Sequence, residues 1–225
     1  CGITGIFDYS HSAMVDTGLL EKIRDVMIHR GPDDFGLWVS RDGFTGFPHR
    51  RLSIIDLSKN ASQPMSNEDE NIWIVCNGEI YNHAEIRKVL EAEGHRFKTD
   101  HSDTEVIIHS FEQWGIECVK KFRGMFAFAI WDCNTRELWL VRDRIGVKPL
   151  YFTDTGKRFI FASEVKSILA DPVIERKVNE EALYHYLSFL TTPAPNTMFA
   201  GINKLPPASY LKVSDDGTTA AVRYW

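Results

Sequence analysis

Met125-Phe126-Ala127-Phe128-Ala129-Ile130-Trp131-Asp132 is the stretch whose reading decides the fold. It is a short, almost wholly apolar and β-rich run, far below the length needed to cross a bilayer. Further strand-like pieces follow at residues 138–142, 150–152 and 159–162, with no helical periodicity between them. An earlier run of strand-like pieces lies upstream, at residues 3–7, 36–40, 44–47, 52–55 and 72–76. Strands gathered in two runs, with helices between and after them, predict an α+β layered architecture rather than a doubly wound parallel sheet.

The helices are marked by spacing and punctuation. Leu19, Leu20, Ile23, Val26 and Met27 recur at helical intervals, and Gly31-Pro32 stops that segment. Asn82-His83-Ala84-Glu85 and Ser102-Asp103-Thr104-Glu105 both have the form of a capping box, opening helices that end near Gly94 and Trp114. A last helix opens at Asn179 and carries Leu183, Tyr186 and Leu187. A proline-rich connection follows over residues 191–208. Residues 209–213 and 219–224 then predict a closing hairpin around Asp215-Asp216-Gly217.

Composition narrows the function classes. The 225 residues are 44% hydrophobic and 25% charged, the balance of a globular protein. A net charge of -5 without any Lys/Arg run argues against nucleic acid or an anionic membrane as a partner. The four cysteines, Cys1, Cys76, Cys118 and Cys133, have no C-x-x-C spacing, and no His pair completes a zinc set, so no metal is expected. No stretch has the form of a signal peptide, and the expectation is a reducing, cytoplasmic setting.

Cys1 has two readings: an ordinary chain boundary, or a terminal residue whose own α-amine lies a few bonds from its thiol. An α-amine titrates near ~8 and a thiol near ~8.5, so base and nucleophile would be combined in one residue. Cys76-Asn77-Gly78 runs an apolar strand into Asn-Gly. That dipeptide signals a turn, or an oxyanion site made of a side-chain amide and the next backbone N–H. Arg51 is either a strand-end charge or a two-pronged ligand for an amino-acid carboxylate. Asp103 and Glu79 are candidates for a substrate ammonium, and Asp103 has an alternative role at a helix start.

Together these pieces resemble the class II glutamine amidotransferase domain, in its asparagine synthetase-like branch. The matching segments are Cys1-Gly2-Ile3, His29-Arg30-Gly31-Pro32-Asp33, residues 51–57, residues 77–82 and Ser102-Asp103-Thr104-Glu105. Later segments are residues 124–129, residues 142–151 and Phe161-Ala162-Ser163-Glu164, all in the family's order. The resemblance implies a four-layer αββα sandwich of the N-terminal-nucleophile hydrolase type, with Cys1 exposed by removal of an initiator methionine. It implies that Cys1 attacks the glutamine side-chain amide while Asn77 and the Gly78 N–H form the oxyanion hole. Arg51, with Leu52, Ile54 and Ile55 beside it, would bind the α-carboxylate, and Glu79 and Asp103 the α-ammonium. Arg50 adjoins Arg51, but strand alternation lets only one face the pocket; the motif selects Arg51.

The branch also implies what lies elsewhere. Freed ammonia is useful only beside an acceptor site that excludes water. The Ser-Gly-Gly-x-Asp-Ser loop of the branch's synthetase domain is absent from these residues, as is any Walker-type loop. No cofactor is therefore expected in this domain, with ATP and Mg expected only in a C-terminal domain. Residues 1–213 are read as the glutaminase domain and 214–225 as a closing strand and the start of a linker. The chain is either part of a longer synthetase or a stand-alone glutaminase serving a partner chain, and a homodimer is left open. Aspartate is the default acceptor, and a sugar acid or other carboxylate is the alternative. Two rivals are a sugar-phosphate or phosphoribosyl amidotransferase branch and a non-catalytic scaffold module.

Overall fold

A computed structural model describes residues 1–53, 61–218 and 220–225. In chain order the elements are β1 (Gly2–Asp8), α1 (Thr17–Asp25), β2 (Asp34–Val39), β3 (Thr45–Arg51), β4 (Met65–Ser66) and β5 (Ile72–Ile80). Then come α2 (His83–Ala92), α3 (Asp103–Trp114), β6 (Gly124–Asp132), β7 (Glu137–Arg142), β8 (Tyr151–Asp154) and β9 (Arg158–Ala162). The last are α4 (Val165–Ile168), α5 (Glu180–Phe189), β10 (Asn203–Lys204), β11 (Ser209–Ser214), β12 (Gly217–Thr218) and β13 (Val222–Arg223). One antiparallel sheet has the order β10-β8-β9-β1-β3-β2. The other has the order β12-β11-β7-β6-β5-β4, with β13 paired to β11.

The period-two alternation of each strand divides the apolar residues among three cores. On β6, Ala127, Ala129 and Trp131 meet Ile3, Phe7, Phe47 and Phe161 of the other sheet in an inter-sheet core. The intervening Phe126, Phe128 and Ile130 pack outward against Ile86, Leu90, Val106 and Ile107 of α2 and α3. Across the molecule, Ile6 and Ile160 face Leu20, Ile23 and Ile168 of α1 and α4. Two sheets, each backed by its own helices, make an α+β fold in four αββα layers. Phe7 and Trp131 lock the sheets edge to face, with ring centroids 4.7 Å apart.

Several expectations need correction. Asn77-Gly78 does not form a turn: β5 runs through it, pairing Asn77 with Ala127 and Gly78 with Phe126. Gly78 has φ of +150°, and a Cβ there would lie 2.1 Å from the Met125 carbonyl oxygen, so the close approach of β6 requires glycine. Neither capping box is reciprocal. Asn82 makes no cap bond to α2; its side chain instead bridges to Lys121 O and Arg123 N, at 3.0 and 2.9 Å. Ser102 does cap α3, but Glu105 turns back to the amides of Lys98 and Thr99. The closing hairpin forms as expected around residues 215–216, with β12 and β13 as two pieces of the return strand along β11 in the second sheet. β3 carries the chain to Arg51, and residues 54–57 of the quoted motif lie outside the described residues.

Candidate active site

Alternation along the strands brings the candidate residues together. Cys1 precedes β1 on the face that carries Ile3 and Phe7, and Asn77 shares the face of Val75, so both look into the inter-sheet layer. The β1–β3 register pairs Gly2 with Arg50, which sets Cys1 beside Arg51. The result is a cavity of about 140 Å³ at one end of the sandwich, lined by Cys1, Arg51, Leu52, Asn77, Gly78, Glu79 and Asp103. Ile54 and Ile55, the remaining expected ligands, lie outside the described residues. Arg50 points the opposite way, donating to Asp25 at 2.6 Å with its guanidinium over the Phe35 ring.

The Cys1 sulfur is held between the two backbone groups of Leu52: the Leu52 N–H lies 3.4 Å away and the thiol reaches Leu52 O at 3.6 Å. Arg30 donates to the Cys1 carbonyl at 3.0 Å and to Glu164 at 3.0 Å. Glu164 also receives His29 and Lys166, at 2.9 and 3.1 Å. Burial, offset by these three donors, leaves the Glu164 carboxyl at about 2, so it stays charged at neutral pH. The α-amine that Cys1 carries in this structure is pushed down to about 6, first by burial and then by the charges of Arg30 and Lys148. At pH 7 it is therefore mostly neutral, with a lone pair available for a proton.

Asn77 is 2% exposed, and its Nδ2 has no hydrogen-bond partner among the described residues. An unpaired buried amide is costly, and here it belongs to a side chain that lines the cavity. Opposite, Asp103 accepts the Ile80 N–H at 2.8 Å. Burial raises its carboxyl above the usual range, and the charge of Glu79 adds to that effect. Arg51 is 7% exposed, and its guanidinium lies 3.9 Å from the Asp34 carboxylate. A carboxamide between thiol and amide donor, with Arg51 and Asp103 at its far end, is the ligand class this arrangement suits.

Two cavity residues carried no sequence signal of their own. Gln63 accepts the Cys76 N–H at 2.5 Å and donates to Thr104 at 3.3 Å, tying β5 to the start of α3. Lys148 is delivered by a loop gathered around buried Asp143, which accepts from the amides of Ile145, Val147 and Lys148 at 3.2, 2.9 and 2.9 Å. Arg142 fastens the same loop through the carbonyls of Gly146 and Lys148, both at 2.8 Å. The Arg142–Lys148 segment quoted for the resemblance thus positions one cation at the cavity.

The model for the glutamine amidotransferase domain family matches residues 1–225. The chain belongs to that family. Among its relatives is asparagine synthetase [glutamine-hydrolyzing] 1 of Bacillus subtilis, 42% identical across all of this chain and 35% of the relative's length. A putative asparagine synthetase of Methanocaldococcus jannaschii is 36% identical over 91% of this chain and 42% of its own length. Glutamine phosphoribosylpyrophosphate amidotransferase of B. subtilis matches in structure with a TM-score of 0.73, over 99% of this chain and 49% of its own, at 19% identity. That likeness establishes the shared fold. The chain spans about a third of the length of the B. subtilis asparagine synthetases it matches. Among the described residues, no helix is long and apolar enough to cross a membrane.

Proposed function

We propose that this glutamine amidotransferase domain hydrolyses glutamine through a Cys1 glutamyl thioester, and that the ammonia is consumed by an ATP-dependent acceptor domain outside these residues. The observation that carries the reading is that the Cys1 thiol and an Asn77 amide with no partner among the described residues line one small cavity. The neutral α-amine accepts the thiol proton, and the thiolate attacks the side-chain carbonyl carbon of glutamine. Asn77 Nδ2–H and the Gly78 N–H donate to the oxyanion that forms. The α-ammonium returns its proton to the departing nitrogen, ammonia leaves, and a thioester remains. Water, deprotonated by the same amine, adds to the thioester and releases glutamate and the thiol. Arg51 and Asp103 hold the carboxylate and ammonium ends of the substrate, with Glu79 and Leu52 also lining the cavity. No cofactor is required for these steps.

The names of the B. subtilis relatives favour aspartate as the final acceptor. A relative called amidase chry2 from Gibberella zeae, 35% identical over 92% of this chain, keeps other carboxylate acceptors open as a second reading. Incubation with a glutamine-like electrophile, followed by peptide mass mapping, tests the nucleophile. One adduct on Cys1, protected by glutamine, is expected; labelling elsewhere overturns the assignment.

A further inference from the structure

The outer layer behind the site holds a convergence of side chains that glutamine hydrolysis does not use. His95 follows α2, and His109 and Glu112 lie on α3. His95 Nδ1 and His109 Nδ1 are 3.2 Å apart, His109 Nδ1 and Glu112 Oε2 are 2.7 Å apart, and His95 Nδ1 and Glu112 Oε2 are 3.6 Å apart. A single point just off the plane of these three atoms lies about 2.0–2.1 Å from each, the bonding distance of zinc to nitrogen and carboxylate oxygen. An N–H on His109 Nδ1 serves two of these edges as a donor shared by Glu112 and His95, whereas a cation is bound by all three donor atoms at once.

The surroundings also suit a cation. His95 Nε2 lies 2.9 Å from Gln113 Oε1, so its ring proton belongs there and Nδ1 is left as the inward lone pair. Glu112 is braced by Asn67 Nδ2 at 2.8 Å. The far nitrogen of His109, Nε2, is buried without a hydrogen bond among the described residues, with Glu68 and Glu105 just beyond that reach at 3.6 and 3.8 Å. Negative charge behind a ligating imidazole favours a metal-bound histidine. His109 is 1% exposed, whereas the side chains of His95 and Glu112 keep 16% and 23% exposure, which leaves a path from solvent.

We propose that His95, His109 and Glu112 form a structural site for a divalent transition metal of the zinc class, with one coordination position open to water. The two-imidazole, one-carboxylate donor set matches that class. Six residues separate Asp103 from His109, about 9 Å along a helix. The ion would therefore staple the end of α2 to the helix whose first residue lines the cavity, and fix the segment leading into Asp103.

The test uses cobalt as a spectroscopic probe on chelator-treated protein carrying Cys1→Ala and Cys133→Ser, which removes the two cysteines that are not buried. One equivalent of Co²⁺ should give the visible bands of a tetrahedral site without a thiolate-to-cobalt band. Zn²⁺ should displace it and raise the melting temperature. Calorimetric titration of the same protein with Zn²⁺ should give a stoichiometry of one ion per chain. His95→Ala and Glu112→Gln should each weaken binding by at least the ~10–100-fold that loss of a supporting partner costs, with circular dichroism unchanged. Absence of stoichiometric binding at micromolar protein, or binding unaffected in both variants, overturns the proposal. If neither variant folds, the parent's band pattern and one-to-one stoichiometry decide alone.

Discussion

Asn77→Ala separates catalysis from stability more sharply than any other single change at the site. The side chain is 2% exposed and its Nδ2 has no partner among the described residues. Leaving such a donor unpaired costs about 1–3 kcal/mol in the resting protein. Alanine removes that cost, while the lost atoms leave a small cavity with a penalty of similar size. The two effects nearly cancel, so stability should change by no more than about 1 kcal/mol, or about 2–4 °C in Tm for a chain of this size. Turnover should not be spared. Losing one oxyanion donor costs about 2.7–4 kcal/mol of transition-state stabilisation, a fall of ~10²–10³ in kcat. Glutamate release measured by a coupled dehydrogenase assay, beside a thermal melt of the same preparation, gives both numbers. A kcat loss below about tenfold, which is ~1.4 kcal/mol, at unchanged Tm would refute the donor role. A collapse in Tm would refute the other half of the reasoning, because the amide would then be bonded within the fold.

The two adjacent arginines should part company. Arg51→Ala should raise KM for glutamine by ~10–100-fold, the worth of a charged hydrogen bond of about 1.5–3 kcal/mol, whereas Arg50→Ala should leave KM alone and lower Tm by a few degrees through the lost Asp25 contact. The reverse pattern would move the carboxylate ligand by one residue. Arg30→Gln should shift the acid limb of kcat/KM to higher pH: the amine works when neutral, its pKa of about 6 is held down partly by Arg30, and removing that positive charge stabilises the ammonium. Lys148→Met should shift the limb the same way by removing the next charge in order, and acid limbs that stay put in both variants would rule out the α-amine as the base.

The layered fold was legible because its signal is local. Phe126, Phe128 and Ile130 alternate with Ala127, Ala129 and Trp131, and a strand apolar on both faces must be covered on both faces. Alternation likewise allowed only one of Arg50 and Arg51 to face the cavity, and the motif, not the alternation, selected Arg51. Asn77-Gly78 misled because Asn-Gly marks turns when only neighbours in sequence are considered. Gly78 is instead demanded by the Met125 carbonyl, whose approach depends on the register of β5 on β6. The capping boxes placed the starts of α2 and α3, and Ser102 caps α3, but Asn82 and Glu105 found partners at Arg123 and Thr99 that no four-residue window contains.

The chemistry assigned to Cys1 rests on interactions of the longest range. A terminal amine in water titrates near ~8 and is mostly charged at pH 7, so proximity to the thiol alone would give a poor base. Burial at the end of the inter-sheet cleft changes that, and Arg30 and Lys148 push in the same direction. Each cation is fixed from far along the chain, Arg30 by Glu164 and Lys148 by the loop around Asp143. The motifs flanking residues 30, 148 and 164 can therefore be read as one device: they set the protonation state of the first residue. The histidines at 95 and 109 follow the same logic from the opposite side. Fourteen residues apart on different elements, they form no recognisable spacing, and only the packing of α2 against α3 turns them toward one point.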